Sequence, residues 1–309
     1  MSKGKILVIR GGAIGDFILT LPALAALRRQ FPGAHLEVIG YPHIVQLALA
    51  GGVVDRVQGI EARALAGFFA RNGELAEDLS DYFSEFNLII SYLYDPDEIF
   101  KTNVLRCARG QFIAGPHRPA EHEPIHATQV YLKPLERLAI FDADPVPRLA
   151  ISAYRNAQCV LALHPGSGSE HKNWPVARWA ELLARLAQET GWHFLLVGGE
   201  AEGDRLRRLA GLVPAGRRQV AQSLPLTELA ARLQACAGFV GHDSGITHLA
   251  AALGLPALVL WAKTVEEIWR PQGERVKILR EARGVASISV EQVLRELGEI
   301  VPLPSPPPG

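Results

Sequence analysis

The sequence predicts an α/β protein made of two doubly wound domains, each with a parallel sheet covered by helices on both faces. Short β-branched runs alternate with longer segments of helical periodicity, which is the pattern of βαβ units. The alternation begins twice along the chain. The 309 residues, 48% of them hydrophobic, are enough to give each half its own core.

The first half contains the first series of predicted elements. A glycine-rich loop follows the first strand and leads into one helix, at 17–31, with a proline in its first turns. Residues 59–84 carry mixed signals, some of them helical. The predicted strands are 5–10, 35–40, 87–92 and 111–115.

The second half repeats the alternation after a polar, proline-containing segment at 141–157, which we interpret as a linker. The predicted strands are 159–165, 193–199, 238–243 and 256–261. The predicted helices are 176–191, 202–211, 226–236, 247–254 and 290–300. The predicted domains are therefore 1–145 and 155–300, followed by a proline-rich tail at 301–309 that cannot enter a helix or a sheet interior.

Composition narrows the class of protein. The 32 basic and 32 acidic side chains balance, which argues against a nucleic-acid-binding protein. Three widely spaced cysteines have no metal-site spacing and fit a reduced, cytoplasmic location. The N-terminus does not have the pattern of a signal peptide, and no apolar run reaches the length of a membrane helix. We therefore expect a cytoplasmic protein, with peripheral contact at the inner face of the membrane as an open alternative.

The first candidate site follows the first strand, at Arg10-Gly11-Gly12-Ala13-Ile14-Gly15-Asp16. It nearly matches the dinucleotide motif GxGxxG, but Arg10 stands where the first glycine belongs. Asp16 also puts a carboxylate where a pyrophosphate needs a positive helix end. The carboxylate is either a general base open to a cleft or an ordinary first-turn acid, and the spacing leaves both interpretations open.

The second candidate is HPGSGSEHKNWP at 164–175. Ser167 and Gly168 let backbone N–H groups approach an anion, and Lys172 adds a positive charge. Asn173 after the lysine rules out a Walker A motif. The pattern favours phosphate binding over a loop with a solvated lysine.

The third and fourth candidates follow two later strands. Gly198-Gly199-Glu200 offers a close backbone approach and a carboxylate that can accept two hydrogen bonds from a ribose, or a plain helix-terminal acid. Asp243-Ser244-Gly245-Ile246-Thr247-His248 contains more hydrogen-bonding groups than one helix cap needs, which is typical of a diphosphate site at a helix N-terminus. Neither stretch has the spacing of a metal site, and we expect none.

These loops, in this order, resemble glycosyltransferase family 9, the ADP-heptose:lipopolysaccharide heptosyltransferases. The combination of motifs is specific, and the similarity spans nearly all of the chain except the tail. The matching segments are KILVIRGGAIGDFILTLPAL, HATQVYLKPLERLAI, LALHPGSGSEHKNWPVARWAELLARL, LLVGGEAE and GHDSGITHLAAALGLPALVLW.

The resemblance implies a GT-B fold: two facing Rossmann-like domains with an interdomain cleft, the acceptor side N-terminal and the sugar-nucleotide side C-terminal. It also implies an inverting, metal-independent transfer of a sugar, with ADP-heptose as the expected donor. The expected acceptor is a lipid-linked saccharide of the lipopolysaccharide-core type. No cofactor is expected, because the nucleotide sugar is a substrate, and no nucleic acid is expected as a partner.

By motif match, Asp16 falls on the family's catalytic base and Lys172 on the lysine that contacts the donor phosphates. The expected donor-binding residues are Ser167, Gly168, Gly199, Glu200, Asp243, Ser244, Gly245, Thr247 and His248. The expected acceptor-binding residues are Gly15, Arg118 and His126. The chain departs from the family at Ala262-Lys263, where Gly-Pro is usual.

For several features the sequence leaves two interpretations open. The basic residues of the first half could meet anionic groups of an acceptor or be ordinary surface charge; they are Lys101, Arg106, Arg109, His117, Arg118 and His122. The segment 63–73 could face a membrane, although a helix facing the core is the preferred interpretation. For the whole protein, the alternatives to a transferase are a non-catalytic sugar-nucleotide-binding protein and, with less support, a nucleotide-dependent oxidoreductase.

Overall fold

The computed structural model describes residues 4–153 and 159–305. The chain divides into two compact units, Met1–Leu149 and Ala150–Gly309. Each unit is built around its own parallel sheet. Within the described residues, no helix is both long enough and apolar enough to cross a membrane.

The first unit contains a five-stranded parallel sheet with strand order β3-β2-β1-β4-β5. The central strand β1 is buried because its Ile6–Ile9 run packs on both faces of the sheet. The order places the switch point between β1 and β4, where ligands of doubly wound proteins bind. The strands are β1 Lys5–Arg10, β2 His35–Gly40, β3 Arg56–Gly59, β4 Leu88–Ser91 and β5 Gln111–Ala114.

The helices of the first unit cover this sheet. Phe68, Phe83 and Phe100 pack together in its core, and Leu65 is buried beside them. The segment 63–69 is thus a 3₁₀ helix that faces the core, as preferred. The helices are α1 Ile14–Ile18, α2 Leu21–Gln30, α3 Pro42–Ala50, α4 Glu77–Ser84, α5 Ile99–Leu105 and α6 Ala127–Leu132.

The single helix predicted at 17–31 is wrong at its start. The structure has two helices there, separated at Leu19 and Thr20, because Pro22 in the first turn of α2 has no N–H to continue the hydrogen bonds of α1. Asp16 therefore belongs to a separate five-residue helix, α1, which directly follows the glycine-rich loop.

The second unit contains a six-stranded parallel sheet with strand order β11-β10-β9-β6-β7-β8. Counted from the first strand of this unit, the order is the 3-2-1-4-5-6 of dinucleotide-binding folds, and its switch point lies between β6 and β9. The strands are β6 Val160–His164, β7 His193–Gly198, β8 Arg218–Gln222, β9 Gly238–His242, β10 Ala257–Trp261 and β11 Val276–Arg280.

The helices of the second unit bury apolar faces against this sheet. Trp174, Trp179 and Trp192 are almost fully buried in the core of the unit. Gly254, at a φ of +78°, ends the helix after β9, as the Gly254 and Pro256 pattern predicts. The helices are α7 Val176–Glu189, α8 Gly203–Ala210, α9 Leu226–Gln234, α10 Gly245–Ala252, α11 Glu266–Trp269 and α12 Val290–Ile300.

The prediction of doubly wound α/β architecture is confirmed in both sheets. The strands missed from the sequence, β3, β8 and β11, are all edge strands with half-exposed, polar or mixed residues. They lack the continuous apolar runs that mark strands buried on both faces.

The proline-rich tail begins as extended chain. The carbonyl of Pro304 accepts a hydrogen bond from the backbone N–H of Gly191, which lies just after α7. A side chain at position 191 would overlap the Ser305 backbone, so the glycine permits this contact. The predictions for 306–309 and for linker residues 154–158 lie outside the described residues.

Candidate functional site

The carboxyl ends of β6, β9 and β10 bring three polar side chains together in the second unit. Lys172 donates from Nζ to Oδ2 of Asp243 at 2.6 Å, and the Thr264 hydroxyl donates to the same oxygen at 2.5 Å. The Asp243 side chain is only 8% exposed, whereas Lys172 is 34% exposed. The ammonium group is thus held by a fixed carboxylate, while part of the Lys172 side chain remains open to a ligand.

The loop after β9 forms the N-terminus of α10, as predicted. Ser244 is the cap, and its Oγ accepts the backbone N–H of Thr247 at 3.3 Å. The Thr247 hydroxyl is fully buried and donates to the His242 carbonyl. The first N–H groups of a helix have no acceptor within it, so those of Gly245 and Ile246 are suited to bind an anion.

His242 joins this loop to the glycine- and serine-rich loop after β6. Its Nε2 accepts the backbone N–H of Trp174 at 2.8 Å, and its Nδ1 lies 3.2 Å from the Gly166 carbonyl, to which it donates. Both bonds require the neutral ring with its proton on Nδ1. Burial lowers the pKa of His242 to about 4, which keeps the ring in that form.

His164 is a second buried histidine at this edge of the sheet. Its Nδ1 lies 3.3 Å from the Ser244 hydroxyl. Burial, together with the nearby His242 and Arg205, lowers the pKa of His164 to about 3. His164 and His242 are therefore both neutral, and their hydrogen bonds hold the loops after β6 and β9 in place.

The loop after β6 is closed by its own side chains. The Ser167 hydroxyl lies 2.8 Å from both the Ser169 carbonyl and the Asn173 amide oxygen, so its one proton is shared between these two acceptors. A Cβ at Gly168 would meet no atom within 4 Å, so this backbone is open on one side. The loop has a defined shape and an accessible backbone, both of which suit anion binding.

Arg205 was not expected from the sequence. It lies on α8, donates to the Pro165 carbonyl at 3.0 Å and pairs with Glu170 at 3.1 Å, and its side chain is 16% exposed. It thereby anchors the loop that carries Lys172. The sequence signal was only an arginine within an Arg-rich amphipathic helix.

Two acidic residues follow β7, and they make different contacts. Glu202, not Glu200, closes the turn by accepting the Gly199 N–H at 2.8 Å. Glu200 is exposed at the start of the turn. Both acids lie in the first turn of the 3₁₀ helix Glu200–Glu202, so the helix-terminal role considered for Glu200 is observed, and its proposed ribose role stays a prediction.

In the first unit, Asp16 lies in the first turn of α1 at the carboxyl end of β1. Its Oδ2 accepts the backbone N–H of Ala13 at 3.0 Å. Its side chain is 28% exposed, so the carboxylate is fixed and still accessible. The first-turn role is therefore observed, and it leaves one carboxylate oxygen for other partners.

Arg10 provides one such partner and was missed as a site residue. Its Nη2 lies 3.6 Å from Oδ1 of Asp16, and its side chain is 2% exposed. It also donates to the Thr20 hydroxyl at 3.0 Å and to the His117 carbonyl at 2.9 Å, and it stacks 4.5 Å above the Tyr131 ring. One buried guanidinium thus joins the ends of β1, α1 and the chain after β5.

The predicted acceptor-binding residues lie in different settings. Gly15 is within α1 beside Asp16. Arg118 is exposed and pairs with Glu121 at 2.5 Å. His126 is buried and caps α6 by accepting the Thr128 N–H. His248 of the donor set is also buried, inside α10. Their binding roles stay predictions.

The structure also bears on metal sites. Among residues 4–153 and 159–305, no group of three or more His, Cys, Asp or Glu side chains is arranged to hold a metal ion.

Comparison with known proteins was made for the whole chain. The sequence profile of "Glycosyltransferase family 9 (heptosyltransferase)" matches residues 137–296. "Lipopolysaccharide heptosyltransferase 1" of Pseudomonas aeruginosa is 28% identical, with 84% of this chain and 79% of that protein covered. "Lipopolysaccharide heptosyltransferase 3" of Escherichia coli K12 is 22% identical, with 85% and 83% covered.

Solved structures have the same fold at low identity. A glycosyltransferase of family 9 from Veillonella parvula superposes with a TM-score of 0.78 at 18% identity, covering 96% of this chain and 97% of that one. An E. coli heptosyltransferase with ADP gives a TM-score of 0.78 at 19% identity, covering 96% and 100%. These similarities confirm the predicted α/β, GT-B fold class.

Proposed function

The chain belongs to glycosyltransferase family 9 and is a glycosyltransferase, and from this premise we propose that it transfers a heptose from ADP-heptose to a lipopolysaccharide-core-type acceptor. We further propose that the transfer inverts the anomeric centre and needs neither a metal ion nor a cofactor. We place the enzyme in the cytoplasm. Because the acceptor is lipid-linked in this proposal, the enzyme works there at the inner face of the membrane.

Asp16 serves as the general base in this reaction. An acceptor hydroxyl must lose its proton as its oxygen attacks the anomeric carbon, and a positioned carboxylate can take that proton. The accessible, fixed carboxylate of Asp16 supports this role. The hydrogen bond from Ala13 and the nearby Arg10 restrict its rotation, so little motion is needed before the proton moves.

Lys172 and the N-terminus of α10 stabilise the leaving diphosphate in this reaction. As the glycosidic bond to the diphosphate breaks, negative charge grows on the phosphate oxygens, and fixed cations and N–H groups stabilise it. The resting partner of Lys172 supports this role, because Asp243, itself held by the Thr264 hydroxyl, keeps the ammonium where the two loops meet. A diphosphate that reaches the partly exposed Lys172 then meets an ammonium whose position is already fixed.

The observation that carries the proposal is the ion pair between Lys172 and Asp243 at the switch point of the second sheet. It brings together two motifs 71 residues apart, at the place where doubly wound folds bind nucleotides. The proposed reaction follows from membership of the family, and the arrangement of Lys172 and Asp243 supports the proposal that the donor is a nucleotide sugar.

Calorimetry and a turnover assay test the proposal together. The wild type should bind ADP, and it should release ADP from ADP-heptose only when a heptose-free lipopolysaccharide-core acceptor is added. UDP and NADH serve as controls for the nucleotide. ADP binding without acceptor-dependent turnover would favour the non-catalytic alternative, and NADH binding without ADP binding would favour the oxidoreductase.

A further inference from the structure

An open cavity of about 230 Å³ lies in the first unit at the carboxyl ends of β4 and β5. Its apolar wall includes Leu93 and Phe112, and its rim carries Tyr94 and His117. Of the residues considered for acceptor binding, Lys101 and His117 line it, whereas Asp16 and the expected donor-binding residues do not. This volume is below the range of about 300–1,000 Å³ for drug-sized ligand sites, so the cavity suits a single small ring.

This cavity adjoins the loop that carries Asp16. A Cβ placed on Gly11 would lie 3.5 Å from the Leu93 side chain, so the loop and the cavity share a wall. The His117 carbonyl accepts from Arg10, which in turn lies beside Asp16. The cavity is therefore connected to the proposed base within the same unit, through Leu93 on one side and through His117 and Arg10 on the other.

The rim combines an aromatic ring with groups that can make hydrogen bonds. Tyr94 is 71% exposed, and its ring meets the His117 ring edge-on with centroids 4.6 Å apart. Exposed aromatic rings of this kind are often binding surfaces. Glu98 and Lys101, which also line the cavity, pair at 2.7 Å.

One residue of the same rim, Glu98, has a strained backbone conformation. Glu98 has a φ of +52°, in the left-handed region that a residue with a Cβ rarely adopts. Its neighbour Asp95 caps α5 by accepting the N–H groups of Phe100 and Lys101, which fixes this conformation. Such strain persists where the surrounding structure maintains it, commonly at functional sites.

We propose that this cavity binds an uncharged sugar ring of the acceptor, with Tyr94 against one face of the ring. The inference rests on the proposed function. An uncharged pyranose has apolar faces and a polar edge, which suits an apolar wall with hydrogen-bonding groups at its rim. Asp95 and Glu98 outnumber Lys101, so the rim disfavours a carboxylate or phosphate.

Saturation-transfer NMR on the full chain tests this without any donor. The probes are the methyl glycosides of glucose, galactose and mannose, with methyl glucuronoside as the anionic comparison. At least one uncharged glycoside should bind, and Tyr94→Ala should weaken it about three- to tenfold. Tyr94→Phe should retain binding, because the ring is kept.

Phe141→Ala is the matched control, since Phe141 is also an exposed aromatic of the first unit, at 70%. It should leave binding unchanged. Silence of all three uncharged probes, equal binding of the glucuronoside, or wild-type binding by Tyr94→Ala would each overturn the proposal. Because no donor is present, these outcomes do not depend on whether heptose transfer occurs.

Discussion

The Arg10 guanidinium lies 3.6 Å from the Asp16 carboxylate and is almost completely buried. It replaces the glycine that would begin a dinucleotide-binding motif, and it also holds Thr20, His117 and Tyr131. The arginine that argues against a dinucleotide site is thus the residue that organises the surroundings of the proposed base.

Arg10→Met should destabilise the first unit and impair catalysis. Several acceptors would lose a buried donor, and breaking a buried pair typically costs about 3–5 kcal/mol. Urea unfolding and kcat of the remaining folded protein are the measurements. Arg148→Met is the control, because its pair with Asp144 is exposed and should contribute at most about 1 kcal/mol. Equal effects of the two changes would refute the assigned importance of Arg10.

Lys172→Met should lower kcat by about 10²–10³, since it removes a cation from the departing diphosphate. Steady-state kinetics with saturating donor measures the loss. Lys263→Met offers a comparison, because Lys263 is exposed beside Thr264 and stands where the family usually has proline. A small effect at Lys172 together with a large one at Lys263 would move the phosphate contact to the unusual lysine.

Two glycines of the same loop should respond differently to alanine. At Gly166 a Cβ would overlap the Glu202 side chain, which holds the Gly199 N–H. Gly166→Ala should therefore cost about 1–3 kcal/mol of stability through overpacking. Gly168→Ala should fold normally, because its Cβ would meet no atom, but it should raise the donor KM if a diphosphate approaches that backbone. Thermal unfolding and donor titration separate the two effects.

Stability should fall as the pH drops below about 6.5. An unfolded histidine takes up a proton near that pH, whereas the native pKa values of His164 and His242 are about 3 and about 4. The unfolded state therefore binds more protons between pH 6.5 and 4, which lowers the free energy of unfolding on acidification.

The expected slope is up to about 1.4 kcal/mol per pH unit for each histidine. Urea titrations between pH 6.5 and 5 measure it above the range where most carboxylates titrate. His242→Gln should reduce the slope, whereas His122→Gln, an exposed histidine, should not. A flat profile in the wild type would show that the two rings are not held neutral.

The sequence was sufficient for the buried parts of the fold. The strands at 5–10 and 35–40 and the helix at 290–300 match the structure, since a continuous apolar run or a clear 3.6-residue period marks each. The edge strand at 56–59 carries no such signal, because its position depends on pairing with β2. The break between α1 and α2 was missed because the apolar period continues through it.

Individual residues of the candidate site were predicted from the sequence, but the contacts between them were not. Lys172 and Asp243 were both expected at strand ends, yet their direct pairing depends on the register of β6 and β9. The Thr264 hydroxyl and Arg205 reach the site from later elements whose side-chain directions are set by tertiary packing. Arg10 was interpreted only as a departure from a motif, because its partners lie as far along the chain as Tyr131.

The most direct test of the central claim is the rate of acceptor-dependent ADP release by Asp16→Asn, which keeps the shape of the side chain and removes the base. The account predicts that kcat falls by about 10²–10⁴ while ADP binding is unchanged. Asp78→Asn, a change at another exposed first-turn acid of the same unit, should retain full activity. If Asp16→Asn turns over as fast as the wild type, Asp16 is not the base and the proposed mechanism is wrong.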